Sequence, residues 1–333
     1  MTSDDTPEIL LIRQTRPDVA ERLSARFRLH RLEAAPDRDA FLSEVGPRIR
    51  GLAVGAMTPI DAALFDRLPK LEIVSSFGVG YDTIDVAEAA RRGVCVTHTP
   101  DVLSDEVADL ALGLLLATVR RIPQGDRYLR EGRWRQASFP LTTSLRERRA
   151  GILGLGRIGR AIATRLDAFG VAVAYHGRTP QDVDYAYHDS LIGLAQASDI
   201  LIVAAPGGPE TKGIVDAAVL EALGPEGIVI NIARGSVIDE AALTAALQAG
   251  TILGAGLDVF ENEPHVPDAL AALDNTVLLP HVGSGSHYTR AAMGRLLTDN
   301  LFAWFEGKAP PTPVPETPLP ETPVPETPVP GPR

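Results

Sequence analysis

The residues Gly154-Leu155-Gly156-Arg157-Ile158-Gly159 lie between a short apolar run, Ala150-Gly-Ile-Leu153, and a stretch with helical spacing, Ile158, Ile162, Leu166 and Phe169, closed by Gly170. Glycines at this spacing do separate jobs in a dinucleotide site. The first allows a tight turn, the second lets backbone approach a pyrophosphate, and the third lets helix and strand pack closely. The end of the following strand-like run decides which dinucleotide is expected. A site for NAD places Asp or Glu there to hold the ribose 2′-hydroxyl. Here the chain reads Tyr175-His-Gly177-Arg178-Thr179, with no carboxylate before Asp182. Arg178 can clamp a 2′-phosphate, so NADPH is predicted over NADH; the competing reading is a solvated loop arginine. Three more polar segments close apolar runs: Asn231-Ile232-Ala233-Arg234-Gly-Ser, Gly256-Leu-Asp258-Val-Phe-Glu261-Asn-Glu263-Pro, and Leu279-Pro-His281-Val-Gly283-Ser284. In doubly wound sheets ligands bind at that strand edge.

The elements that must position these residues follow from an alternation of branched, strand-like runs with longer helical stretches, which implies parallel sheets covered on both faces. Glu8–Arg13, Phe27–Leu32, Gly51–Gly55, Leu71–Ser76 and Val94–Thr97 make one five-stranded domain. Ala150–Leu153, Val171–Tyr175, Ile200–Ala204, Ile228–Ile232, Ala255–Val259 and Thr276–Leu279 make a second, larger one. The glycine loop Phe77-Gly-Val79-Gly80-Tyr-Asp82 is expected to enter a helix near Ile84, where its amides could meet an anion. Ser104 is expected to cap a helix running to Val119 that crosses between the domains, and Ser286 to cap a last helix ended by Gly307. Residues 120–149, with Arg127, Tyr128, Arg130, Trp134 and Phe139, lack core periodicity and read as an excursion, either an arm onto a partner subunit or a surface cover.

Composition narrows the function classes. The 333 residues carry 43 acidic and 32 basic side chains, a net charge of −11, which disfavours binding to nucleic acid or anionic lipid. A single cysteine, Cys95, excludes an intramolecular disulfide and reads as a small core residue. The amino terminus is acidic where a signal peptide is basic, and the longest apolar run, Leu110–Val119, is too short for a membrane span. These features predict a cytoplasmic enzyme without metal, since no pair of its seven histidines has convincing ligand spacing.

Taken in order, the glycine fingerprint, the Ala-Arg-Gly turn at 233–235, the Asp-Val-Phe-Glu-Xaa-Glu-Pro segment and the Pro-His-Val-Gly-Ser segment resemble the D-isomer-specific 2-hydroxyacid dehydrogenase family. The similarity runs from about residue 8 to 309. It is greatest to the glyoxylate/hydroxypyruvate reductase branch, near the hydroxyphenylpyruvate and 2-ketogluconate reductases. The resemblance implies an α/β fold of two doubly wound parallel-sheet domains. A Rossmann-type cofactor domain (101–284) is inserted into a flavodoxin-like substrate domain (1–100 plus 285–309), and residues 120–149 serve a homodimer. It implies Arg234 as anchor of the substrate carboxylate and polariser of the carbonyl, His281 as general acid in reduction, and Glu263 as the partner that fixes the histidine tautomer and favours its protonated form. Val79 and Gly80 would hold the other side of the carboxylate. Met57 and Ser284 would line the substrate pocket, although core packing is an equal reading for Met57. Asp258 would meet the nicotinamide carboxamide. Further cofactor contacts are expected from Leu155, Arg157, Ile158, Gly177, Thr179, Ala205, Pro206, Thr211, Ile232, Ala233 and Gly283. Ligand-driven closure of the two domains is expected as well. The implied substrate is glyoxylate or hydroxypyruvate; the alternatives are phenylpyruvate, hydroxyphenylpyruvate or 2-ketogluconate, and, from another class, a dinucleotide-sensing corepressor-like protein.

Eleven of the 27 prolines fall between residues 310 and 332, in near-repeats of Pro-Val-Pro-Glu-Thr at 313–317, 318–322 and 323–327. With few backbone donors and little apolar bulk, residues 310–333 are expected to form a disordered, solvated, polyproline-like tail.

Overall fold

The computed structural model describes residues 6–13, 16–55 and 57–319. Among them, the residues up to Val102 together with those from His287 onward form one compact unit, and Leu103–Ser286 form a second.

The first unit begins β1 (Glu8–Ile12), α1 (Pro17–Ser24), β2 (Arg28–Arg31), α2 (Arg38–Val45), β3 (Ile49–Val54), α3 (Ala62–Arg67), β4 (Ile73–Ser76), α4 (Val86–Arg91) and β5 (Cys95–Thr97). Its five strands are parallel in the order β2-β1-β3-β4-β5, with the topological switch between β1 and β3. Central strands β1 and β4 are buried along their whole length, as strands covered on both faces must be, and their apolar runs are what made them readable. The helix expected near Ile84 starts two residues later: Asp85 caps α4 by accepting the Glu88 amide at 2.9 Å. Ile84 instead bridges to Ile60, so the glycine loop 77–82 stands apart from the helix terminus.

The second unit contains α5 (Ser104–Val119), α6 (Ile122–Arg130), β6 (Arg149–Leu153), α7 (Arg157–Ala168), β7 (Ala172–His176), β8 (Ala186–Tyr187), α8 (Leu191–Gln196), β9 (Ile200–Val203), α9 (Ala217–Leu223), β10 (Ile228–Asn231), α10 (Glu240–Ala249), β11 (Gly254–Leu257), α11 (Asp268–Ala271) and β12 (Thr276–Leu278). Its seven parallel strands run β12-β11-β10-β9-β6-β7-β8, and the switch point lies between β6 and β9. α5 lies close on β11 because Gly256 leaves room; a Cβ there would sit 2.7 Å from Thr118 Oγ1 and 2.8 Å from Leu114 Cγ. Ser104 is not the cap of α5. It is the first helical residue, and Leu103, already helical in ψ, precedes it without a side-chain cap bond. Residues 120–149 include α6 and a short 3-10 turn at Arg133–Arg135; Gln124 donates to the Asp274 and Thr276 carbonyls, and Tyr128 donates to the Ala137 carbonyl.

The chain returns to the first unit with α12 (His287–Phe305), where Ser75 Oγ donates to the Leu297 carbonyl and Gly294 allows close approach of Val19. The expectation of a solvated tail from residue 310 fails for residues 310–317, while Pro318 and Leu319 are exposed. Val314 is 1% exposed and belongs to the hydrophobic core of the first unit. Its amide donates to the Val96 carbonyl at 2.8 Å, the His98 amide donates to the Thr312 carbonyl at 3.1 Å, and Pro313 pairs antiparallel with Thr97. Proline is tolerated at this edge because its missing N–H falls on the side the ladder does not use. Thr317 Oγ1 accepts the Val96 amide at 2.9 Å, so a side-chain oxygen satisfies this buried donor. Below this strap, burial pushes the Cys95 thiol up to about 11, as befits a packed core residue. The remaining tail, residues 320–333, lies outside the described residues.

Candidate active site

All six loops that carry the second unit's candidate residues, after β6, β7, β9, β10, β11 and β12, leave the carboxyl ends of its strands. After β6, Gly154 adopts φ +95°, and a Cβ there would lie 2.7 Å from Ala205 N, so only glycine lets the loops after β6 and β9 touch at the switch point. A Cβ at Gly159 would meet Gly154 O at 2.2 Å, which explains the third glycine of the fingerprint. At Gly156, the residue preceding α7, a Cβ would meet no atom within 4 Å, and no side chain caps the helix. That open, amide-bearing helix start fits a pyrophosphate. Leu155 is buried at 2% exposure, so it can meet a ligand only through its backbone, whereas Arg157 is exposed and Ile158 half-buried.

After β7, Arg178 and Thr179 are exposed and Gly177 is half-buried. The loop is tied at its base: Tyr187 Oη donates to the Gly177 carbonyl at 3.2 Å, and the Gln181 amide donates to Tyr175 Oη at 2.7 Å. No carboxylate occupies residues 176–181. After β9, Ala205 is buried and Pro206 exposed; Thr211 Oγ1 donates to the Pro206 carbonyl at 2.7 Å, which closes that loop on itself.

The loops after β10, β11 and β12 gather the polar cluster. Asn231, 1% exposed, donates through Nδ2 to the Arg234 carbonyl at 3.0 Å and accepts the Ala233 amide through Oδ1 at 3.0 Å, fixing the turn that presents Arg234. Arg234 Nη1 donates to the Ala233 carbonyl at 2.8 Å. Ile232 is buried and Ala233 half-buried. Gly235 is required, because a Cβ there would lie 1.9 Å from the Phe260 carbonyl carbon.

His281 Nδ1 and Glu263 Oε2 are 2.7 Å apart, and Glu263 Oε1 accepts the Phe260 amide at 3.1 Å. Burial pushes the Glu263 carboxyl up, but the His281 hydrogen bond, the Phe260 amide and the positive charges of His281 and Arg234 outweigh it and hold the group below its ordinary 4.5. An ionised Glu263 accepts only, so Nδ1 carries hydrogen and Nε2 is left as the working nitrogen. His281 itself has φ +52°, a left-handed conformation uncommon outside glycine. Asp258 over-determines it. The His281 amide donates to the Asp258 carbonyl at 2.8 Å, and the Asp258 carboxylate accepts the Val282 and Gly283 amides at 2.7 and 2.8 Å. Burial raises the Asp258 carboxyl despite those two amides. The sequence marked Asp258 as a cofactor contact, and its clamp on the His281 loop went unread, as did the role of Asn231. Asp258 works through a contact between loops far apart in sequence, whereas Asn231 acts within its own turn. Ser284 follows in the same loop and is half-buried.

Met57, Val79 and Gly80 belong to the first unit. Met57 follows β3, 36% exposed and at φ +62°, while Val79 and Gly80 follow β4, half-buried.

Comparison with known proteins matches residues 112–283 to the model of the D-isomer specific 2-hydroxyacid dehydrogenase NAD binding domain. The chain is 50% identical over 293 residues to a glyoxylate/hydroxypyruvate reductase A of Arabidopsis thaliana, covering 88% of this chain and 94% of that one. It is 49% identical over 295 residues, with the same coverage, to a hydroxyphenylpyruvate reductase of Plectranthus scutellarioides. Among solved structures, an NADPH-dependent glyoxylate/hydroxypyruvate reductase of Sinorhizobium meliloti, in complex with NADP and malonate, superposes with a TM-score of 0.90 at 52% identity. That match covers 95% of this chain and 98% of the other.

Proposed function

The chain belongs to the D-isomer-specific 2-hydroxyacid dehydrogenase family, and on that premise we propose that it uses NADPH to reduce glyoxylate or hydroxypyruvate to the D-2-hydroxy acid. The contact that carries this reading is the 2.7 Å pair of Glu263 and His281 beside Arg234. It is an acid, its orienting base and a fixed cation on adjacent strand ends.

Reduction of a 2-oxo acid adds a hydride to the carbonyl carbon and a proton to its oxygen. The nicotinamide, when bound, supplies the hydride. The protein supplies the rest. His281 Nε2 donates the proton while Glu263 holds Nδ1–H and stabilises the imidazolium; in oxidation the same nitrogen takes the proton back. The Arg234 guanidinium binds the carboxylate and draws charge onto the carbonyl oxygen. Asn231 and Asp258 keep these groups in place before the substrate arrives, so little reorganisation accompanies the reaction. The open helix start at Gly156 holds the dinucleotide pyrophosphate, with Gly154 and Gly159 shaping the turn and its packing, and Arg178 takes the 2′-phosphate.

The preference for NADPH is supported by Arg178 and by the NADPH dependence of the Sinorhizobium meliloti relative. A bulkier 2-oxo acid is the second reading, favoured by nearly equal identity to a hydroxyphenylpyruvate reductase. The corepressor-like reading is set aside because the family and these relatives are oxidoreductases. Ile122, Leu129, Trp134 and Leu141, all exposed on residues 120–149, support the arm as the surface that meets a second copy in a homodimer. The decisive assay follows NADPH oxidation spectrophotometrically with glyoxylate, hydroxypyruvate, phenylpyruvate, hydroxyphenylpyruvate and 2-ketogluconate. The highest kcat/KM is expected for one of the first two, and a preference for any of the others overturns the substrate assignment.

A further inference from the structure

In the first unit, the loop Gly78–Gly80 is held by residues that follow β5. The Thr99 amide donates to the Gly78 carbonyl at 2.8 Å, and His98 Nδ1 donates to the Val79 carbonyl at 2.8 Å. In a trans peptide the carbonyl and the next N–H point in opposite directions. The only cis bond among the described residues is Glu263–Pro264. Fixing the Gly78 carbonyl toward Thr99 therefore aims the Val79 N–H away from β5, and fixing the Val79 carbonyl toward His98 aims the Gly80 N–H the same way. Two parallel amides make a seat for one carboxylate.

His98 is in turn held by the proline-rich segment. Its amide donates to the Thr312 carbonyl at 3.1 Å, and its carbonyl accepts from Thr312 Oγ1 at 2.6 Å. Thr312 is itself fixed by Asn300 of α12, whose Nδ2 donates to Thr312 Oγ1 at 2.9 Å and whose Oδ1 accepts the Thr312 amide at 3.0 Å. Tyr81, on the same loop, packs edge-on against the His98 ring and donates to Glu316 Oε1 at 3.3 Å. Val314 in the core and Thr317 on the Val96 amide anchor both ends of the segment. Each contact would be dispensable in a passive appendage.

The geometry points to residues 312–317, the first Pro-Val-Pro-Glu-Thr unit with its preceding threonine, as a positioning strap that sets the Val79 and Gly80 amides for the carboxylate of the 2-oxo acid. Thr312, Glu316 and His98 are positioning residues. The inference rests on the reading of the chain as a 2-oxo acid reductase and goes beyond it by giving the tail a part in substrate affinity.

The test compares the full chain with chains ending at Pro311 and at Leu319, and with Thr312→Val and Thr312→Ser. It measures KM, kcat, the Kd of NADPH, and the Kd of oxalate, an unreducible carboxylate shaped like glyoxylate. Ending the chain at Pro311 is expected to raise KM and the oxalate Kd about tenfold, the size of losing one hydrogen bond to a charged group. The kcat and the NADPH Kd are expected to hold. The chain ending at Leu319 should match the full chain. Thr312→Val should shift KM in the same direction by a smaller factor, and Thr312→Ser, which keeps the hydroxyl, should restore it. Unchanged KM and oxalate Kd in a folded Pro311 chain would overturn the strap, as would a parallel loss of KM, kcat and NADPH binding, which marks general unfolding. If the Pro311 chain does not fold, the Thr312 pair decides. A full chain that reduces no 2-oxo acid defeats the functional reading, while the oxalate Kd still judges the strap.

Discussion

The carboxyl edge of the seven-stranded sheet contains two regions built on opposite plans. After β10, β11 and β12, Asn231 spends its polar atoms on its own turn, Asp258 and Glu263 spend theirs on the His281 loop and the Phe260 amide, and Gly235 allows the loops after β10 and β11 to touch. After β7, Arg178 stands exposed at the tip of a loop tied only at its base. Under the proposed function proton transfer needs a donor already in place, so its geometry is worth holding with the buried Asp258 carboxylate and a left-handed backbone, both of which cost stability. Discrimination between a phosphate and a hydroxyl is a difference in binding free energy. Under the proposed function, the exposed Arg178 guanidinium would supply it by folding onto the anion after arrival.

The harshest trial of the pre-organised region is His281→Ala. Removing a general acid costs about 100- to 10,000-fold in rate, and stopped-flow or steady-state kcat should fall within that range while the fluorescence Kd for NADPH is nearly unchanged. A near-normal kcat sinks the assignment of His281 as donor.

Glu263→Gln comes next. Glutamine can still accept from Nδ1–H, yet it removes the negative charge. A hydrogen bond to a charged group is worth about 1.5–3 kcal/mol, so kcat should drop about ten- to a hundredfold. The acid side of the stability profile supplies an independent check. The Glu263 carboxyl lies below its ordinary 4.5 in the fold, so its ionised form stabilises the protein above that value and the contribution is lost as pH falls through the folded pKa. Thermal melts of Glu263→Gln should therefore decline less steeply with acid below about pH 4.5 than those of the parent. Identical slopes would mean that Glu263 is not held in its ionised state by His281 and Arg234.

These two residues were legible because their signals are local. The Glu-Xaa-Glu-Pro and Pro-His segments each follow a buried apolar run, and the fingerprint glycines stand at fixed offsets from β6 and α7. The two doubly wound parallel sheets were readable for the same reason, since strands buried on both faces are almost continuously apolar. What escaped depends on contacts across long sequence distances. Nothing near Asp258 says that its carboxylate will clamp amides at 282 and 283, and nothing in a proline-rich repeat says that Val314 will enter a core or that Thr312 will meet His98. β8 escaped because two residues carry no periodicity, and the start of α4 was misplaced because Asp85, an ordinary capping residue, outcompeted the glycine loop upstream.

Arg178→Ala probes the other side of the comparison. Loss of one charge-assisted contact to the 2′-phosphate should lower the ratio of kcat/KM for NADPH to that for NADH about tenfold, with kcat at saturating cofactor close to the parent value. An unchanged ratio removes Arg178 from cofactor choice.

The smallest expected effect is the most discriminating for the contrast itself. Tyr187→Phe deletes the hydroxyl that donates to the Gly177 carbonyl at 3.2 Å and leaves the ring on Tyr175 and His176. A neutral hydrogen bond of this kind contributes about 0.5–1.5 kcal/mol to stability, so the melting temperature should fall slightly. If Arg178 finds its phosphate by folding onto it, loosening the base of the loop should change the NADPH to NADH ratio by no more than about twofold, within the scatter expected for independent sites. A shift comparable to that of Arg178→Ala would show that the loop must be held in advance, as the His281 loop is. The two regions would then follow one plan, with Tyr187 serving Arg178 as Asp258 serves His281.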